Sequence, residues 1–242
     1  MSPALRRERL RSVQLRRLRR YIAYAAGEIL LIFVGITLAI WFSNWNETRH
    51  TRAQEAQALA DIAMNLRENA DVIRGKIEQD RKIVAACEGV TASLARRDAW
   101  SPALGKELME CRWWTSPFLN AAAYDSLKAK GTGLIADPVL RSQIVNLYEQ
   151  VYAFLVNDTD KAFWAFHTAV MEPTFNRHAY PVSPDEYVPN DYSSLLESAE
   201  FGNMLRQKMQ LQRISIQDQQ RTLAATEKVL GDISARLAAD EP

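Results

Sequence analysis

Residues 21–43 read YIAYAAGEILLIFVGITLAIWFS, with Glu28 the only charged side chain in the run. At 1.5 Å per residue a helix of this stretch is roughly 34 Å long, enough to cross a hydrocarbon core of about 30 Å. The run ends in Trp41, Phe42, Asn44 and Trp45 rather than in small residues at a cleavage site, so it reads as a retained anchor and not as a signal peptide. Arginine pairs precede it, but without a cleavage site and with so apolar a core they do not make a twin-arginine export signal.

On the N-terminal side, the first 20 residues carry eight arginines and one acid, Glu8, a local charge of +7 within a chain whose formal net charge is +1. The positive-inside rule assigns this head to the cytoplasm and everything after about Glu47 to the other side. The expected organisation is a cytoplasmic arginine-rich head over 1–20, a transmembrane helix over 21–45 and an extracytoplasmic helical domain over 46–242. Tyr21 and Tyr24 at one end and Trp41 and Trp45 at the other fit the two aromatic belts of a bilayer. Leu5, Leu10, Val13, Leu15 and Leu18 lie among the arginines, as in a basic amphipathic helix. Arg16, Arg17, Arg19 and Arg20 then either bind anionic lipid of the inner leaflet or a partner, or act as a topology signal alone.

Within the span, Ala23, Gly27, Gly35, Ala39 and Ser43 recur at four-residue steps interrupted only by Leu31. Small residues at that spacing allow close helix approach, which points to a homodimer or to another membrane protein; the competing reading is that such residues are simply common in membrane helices. Glu28 has two placements. If the span begins at Tyr21 its carboxyl lies in hydrocarbon and must be neutral or paired; if the core runs from about Ala26 to Trp45 it sits near the cytoplasmic headgroups, the placement preferred here.

Gly and Pro number nine each, and no proline falls between Pro3 and Pro102 or between Pro189 and Pro242. Two proline-free arms therefore flank a punctuated middle, a distribution suited to long helices and unsuited to a sandwich or barrel. From Glu47 to about Arg97, Leu59, Ile62, Leu66, Ile73, Ile77, Val84, Cys87, Val90 and Leu94 recur at mainly helical steps, with Gly75 and Gly89 as candidate bends. Ser101-Pro102, Ser116-Pro117 and Asp137-Pro138 read as capped helix starts, and Gly131 to Gly133 as a stop. A helix from about Asp158 should end near Glu172-Pro173, and residues 176–193, with three prolines, read as a loop. Ser194 with Glu197 reads as a capping box for the last arm, whose polar centre, with six glutamines between Gln207 and Gln220, suggests a half-exposed helix packed antiparallel to the first. The expected fold is all-α: one N-terminal transmembrane helix followed by an elongated bundle with long first and last helices.

GEILLIFVGITLAIWFSNWNE, followed by TRHTRAQEAQALADIAMNL, resembles a bacterial family of uncharacterised single-pass membrane proteins through Gly27, Glu28, Ile29, Gly35, Ile36, Asn44, Trp45, Asn46 and Glu47. AYDSLKAKGTGLIADPVLRSQIVNLYE is similar to a later segment of the same family through Tyr124, Leu127, Lys128, Gly131, Leu134 and Ile135. The resemblance implies topology and a helical outer domain and no activity. The arginine head is longer here than in the family pattern.

Signals for chemistry are sparse. His50, His167 and His178 have no metal-ligand spacing, and His167 and Glu172, five apart, fall off a shared helical face. There is no nucleophile elbow, P-loop or dinucleotide fingerprint, so no catalytic, metal or cofactor residue is assigned. The sole basic cluster adjoins the membrane, which speaks against nucleic acid. Cys87 and Cys111 form either a disulfide or two buried free thiols. The expected function is a non-enzymatic scaffold or accessory subunit of a larger complex in the bacterial inner membrane. A sensor-like ligand-binding module is the alternative, although the 20 head residues are too few for an output domain.

Overall fold

A computed structural model describes the backbone of residues 3–184 and 186–239, and the side chains of residue 28 and of residues 30 onward within those bounds. The chain is all-α, with a long first helix, a long last helix and one small two-stranded sheet. It divides into two units, Met1–Gln54 and Glu55–Pro242.

In the first unit the described residues all belong to helix α1 (Pro3–Arg96). Every described side chain from residue 30 to residue 50 is exposed, including Leu31, Phe33, Trp41 and Phe42. The helix is long and apolar enough to cross a membrane. Two of its polar groups find local partners: Thr37 Oγ1 donates to the Phe33 carbonyl at 2.8 Å, and the Arg49 guanidinium lies 4.9 Å from the Trp45 ring.

The second unit is built on the continuation of α1, which runs through Gly75 and Gly89 without a break and ends where Arg97 takes a left-handed φ of 56°. Next come α2 (Pro102–Arg112), α3 (Ala122–Lys130), a 3-10 turn and α4 (Pro138–Asn146). Three π-helical segments, Leu147–Tyr152, Leu155–Thr159 and His167–Met171, then alternate with α5 (Asp160–Phe166) and α6 (Glu172–His178), so that the path from 138 to 178 is helical throughout. Strands β1 (Ala179–Ser183) and β2 (Glu186–Pro189), α7 (Tyr192–Glu197) and α8 (Ala199–Ala239) complete it. The pairs Glu55–Arg236, Arg74–Glu227, Asp80–Gln219 and Glu88–Arg213 rise along α1 as they fall along α8, so these two helices are antiparallel.

Several sequence expectations meet tertiary competition. Ser101 and Asp137 do cap α2 and α4, Asp137 accepting from the amides of Val139 and Leu140. Ser116 starts no helix, because its hydroxyl donates to Asp160 at 2.8 Å instead. The last arm is capped not by Ser194 but by Ser198, whose hydroxyl accepts from the Phe201 amide. Helix continues through Pro173, which sits at the start of α6 directly after a π segment, where a missing N–H costs least. The expected loop at 176–193 is instead the end of α6 and an antiparallel hairpin, with Ala179 opposite Pro189 and Tyr180 opposite Val188. A two-stranded sheet has only edge strands, and edges tolerate proline.

Two apolar clusters fill the unit. One joins Leu59, Ile62, Leu66 and Ile73 of α1 to Tyr124, Ile144, Tyr148 and the Val229–Ile233 end of α8. The other joins Ile83, rather than the expected Val84, with Cys87 and Val90 to α2, Phe175, Tyr187 and the Phe201–Met209 start of α8. In the second cluster α2 lies so close to the hairpin that a Cβ on Gly105 would stand 2.5 Å from the Tyr187 carbonyl oxygen. Gly105→Ala is expected to cost about 1–3 kcal/mol, since a backbone atom cannot swing aside as a side chain can. A urea denaturation curve checks this, and an unchanged midpoint would refute the close contact.

Candidate functional site

Along α8 the interior turns polar between the two clusters, and on α1 polar side chains are interleaved with the first of them. Lys208, Gln212, Ser215, Gln219, Thr222 and Thr226 alternate four- and three-residue steps, the spacing of a buried helix seam, and all six are buried. The polar centre of α8 is half-exposed, as its composition suggests: Gln207, Gln210, Gln217 and Gln220 are exposed, while the stripe through Gln212 and Gln219 faces inward. Opposite it α1 presents Asn65, Asn69, Lys76 and Asp80, also buried.

Most of these groups find partners within the layer or on neighbouring backbone. Asp80 forms an ion pair with Lys76, four residues earlier on α1, and accepts from Gln219 Nε2 at 2.7 Å. Asn69 accepts from the Asn120 amide at 2.7 Å and donates to its carbonyl at 2.9 Å, which pins the irregular segment between α2 and α3. Asn65 accepts from the Ala123 amide, supplying from another helix the cap that Ala121 lacks. The Thr226 hydroxyl donates to the Thr222 carbonyl and so receives its 3.0 Å bond from Tyr152.

Lys208 is fully buried, donates to the Trp113 carbonyl at 2.9 Å and holds its ammonium 4.3 Å from the Phe163 ring. Burial is the main cause that pushes its pKa down from 10.5 to about 7; Asp80 opposes the shift and Lys76 adds to it. Between those two values the unfolded chain holds a proton that the folded chain has released. Stability should therefore rise as pH goes from about 7 to about 10.5, and the cost should be constant below about 7. Lys208→Met is expected to unfold at higher urea than the parent near pH 7, with the gap closing through that window. Parallel pH profiles for the two proteins would disprove the assignment.

At the far end of the same region the π segment His167–Met171 changes a helical register. A π turn brings residues i and i+5 together, so His167 Nε2 reaches Glu172 at 3.1 Å, correcting the expectation that the two fall on different faces. Glu172 also pairs with Arg112, the last residue of α2, and this bond is the leading cause that holds its carboxyl below the usual range. Burial lowers the His167 pKa, and Trp114 covers the ring at 5.8 Å. Because the carboxylate must accept, Nε2 carries the proton and Nδ1 faces inward with no hydrogen-bond partner among the described residues. Next to Arg112, Cys111 is joined by a disulfide to Cys87 of α1 with Cα atoms 4.7 Å apart, which resolves the alternatives left by sequence.

The sequence-assigned membrane residues are separate from this region. Glu28, Gly35, Ala39, Ser43, Trp41 and Trp45 are exposed along α1, and nothing lies within 4 Å of a Cβ placed on Gly35. The side chains of Arg16, Arg17, Arg19, Arg20, Tyr21, Ala23, Tyr24 and Gly27 lie outside the described residues. His50 bonds to Gln54 and His178 to Ser198. Among the described residues no cluster of three or more metal-ligating side chains occurs. Sequence reading missed the buried polar layer, although its four- and three-residue spacing on α8 carried the signal. Comparison with protein-family models, with curated proteins and with solved structures finds no match for this chain.

Proposed function

We propose that this chain is a single-pass protein of the bacterial inner membrane that serves as a non-enzymatic scaffold or accessory subunit of a larger complex. The observation that carries the reading is the stretch of α1 from Leu30 to Trp45, which exposes apolar side chains all round and so needs lipid or a partner helix to cover it. The arginine head favours a cytoplasmic N-terminus, and a disulfide in the second unit fits an oxidising compartment on the other side. Gly35, Ala39 and Ser43 offer a close-packing stripe to a partner helix or a second copy, and Arg16, Arg17, Arg19 and Arg20 offer charge to anionic lipid. The resemblance to single-pass proteins of unknown activity agrees with this topology. Phe118, 86% exposed, and Trp164, 54% exposed, supply apolar contact outside the membrane. The buried polar layer favours a second reading, a ligand-responsive module that acts through α1. Crosslinking and mass spectrometry on gently solubilised membranes test the first: a stoichiometric neighbour is the expected result, and recovery of the chain only as itself overturns it.

A further inference from the structure

The polar layer contains a cavity of about 10 Å³ that reaches the irregular segment after α2. Trp114, Leu155 and Phe163 form its apolar wall, while Gln212, Gln219 and Lys76 line its polar side. Gln212 and Gln219 are each 1% exposed, and the Oε1 atom of each is buried with no hydrogen-bond partner among the described residues. The orientation of Gln219 is set by chemistry: its Nε2 donates to both Asp80 and Ser215, and turning the amide over would aim an oxygen at a carboxylate. Its Oε1 must therefore accept from something else, and a buried acceptor left unmet is costly.

From this placement we infer that the cavity is a built site for one water molecule, which donates its two hydrogens to Gln212 Oε1 and Gln219 Oε1. The volume is that of a single water, and such buried waters need two to four polar partners. Lys76 supplies a third: its ammonium has three protons and gives one to Asp80, so another is free for the water oxygen. The same ammonium repels a metal or ammonium ion, while the two amide oxygens and the nearby Asp160 carboxylate repel an anion. A neutral molecule that both donates and accepts is what remains, and a volume of about 10 Å³ is that of one water. The site is independent of the scaffold reading.

The test is a crystal structure of the full chain, grown from a lipid phase at a resolution that shows ordered water, beside the Gln212→Met variant. Expected is density about 3 Å from both amide oxygens in the parent and its loss in the variant, with a lowered Tm because Gln219 Oε1 is then left unmet. A thermal scan of the parent in sodium, potassium and ammonium salts should give one Tm. A dry cavity, amide oxygens bonded to protein donors, or a Tm that follows the cation would overturn the proposal. If the variant does not fold, the density and salt series of the parent decide alone.

Discussion

Replacing Asp80 with alanine is expected to lower the unfolding free energy of the helical unit by about 3–5 kcal/mol, the largest effect of any single substitution discussed for this chain. Asp80 is fully buried and holds two partners, the Lys76 ammonium and the Gln219 amide, so its loss strands a cation that is only 8% exposed. The one water proposed beside Lys76 cannot replace a carboxylate as its charge partner, and the apolar clusters flank the layer. Much of the cost belongs to the abandoned lysine rather than to the value of the pair, and that distinction can be measured. The double variant Lys76→Met with Asp80→Leu removes both charges and should recover most of the loss, since buried pairs exchanged for apolar groups of similar volume are often neutral or stabilising. Denaturant midpoints of the two single variants and the double variant provide the check. A double variant as unstable as Asp80→Ala would mean that the layer is held by something other than this pair.

Removing the disulfide, as Cys87→Ala with Cys111→Ala, is expected to cost about 3 kcal/mol through the restored freedom of the unfolded chain. The bridge joins residues 24 apart in sequence, and the loop it closes includes the end of α1 and α2 up to Cys111. Its local effect should be as informative as its size. Cys111 directly precedes Arg112, so loosening α2 should also loosen the Arg112–Glu172–His167 cluster and the Trp114 ring above it. Tryptophan fluorescence of the alanine pair should therefore change before global unfolding, whereas Gly105→Ala acts on the hairpin contact. Both sulfurs are fully buried, so a reductant should act on the folded parent slowly and on the unfolded chain at once. Identical urea midpoints with and without the bridge would contradict the expectation.

Much of the helical framework was legible because its signals are local. Asp137 before Pro138 starts α4, and Gly131, with φ of 98°, ends α3, since each signal requires only atoms within one turn. The failures share a cause. Ser116 has the same local credentials as Asp137, yet Asp160, 44 residues away, takes its hydroxyl. Ser194 gives way to Ser198, which also bonds to His178 from the end of α6. His167 and Glu172 are off a shared face in an ordinary helix and in contact in a π turn, and a five-residue spacing does not announce which form the backbone takes.

The sequence by itself determined the membrane-length helix, the two long arms and the helical class. Those follow from hydrophobic run length and the absence of proline, which act on the chain before any partner is present. Only the tertiary structure decided which face of α8 is interior. Gln212, Gln219, Thr222 and Thr226 look no different from their solvated neighbours until α1 brings its polar side chains, Asp80 among them, against them, because a polar side chain is buried where another element supplies its hydrogen bonds. The same holds for the bridge between Cys87 and Cys111, for the cluster at Glu172 and for the cavity between Gln212 and Gln219: each depends on a distance in space that no spacing along the chain contains.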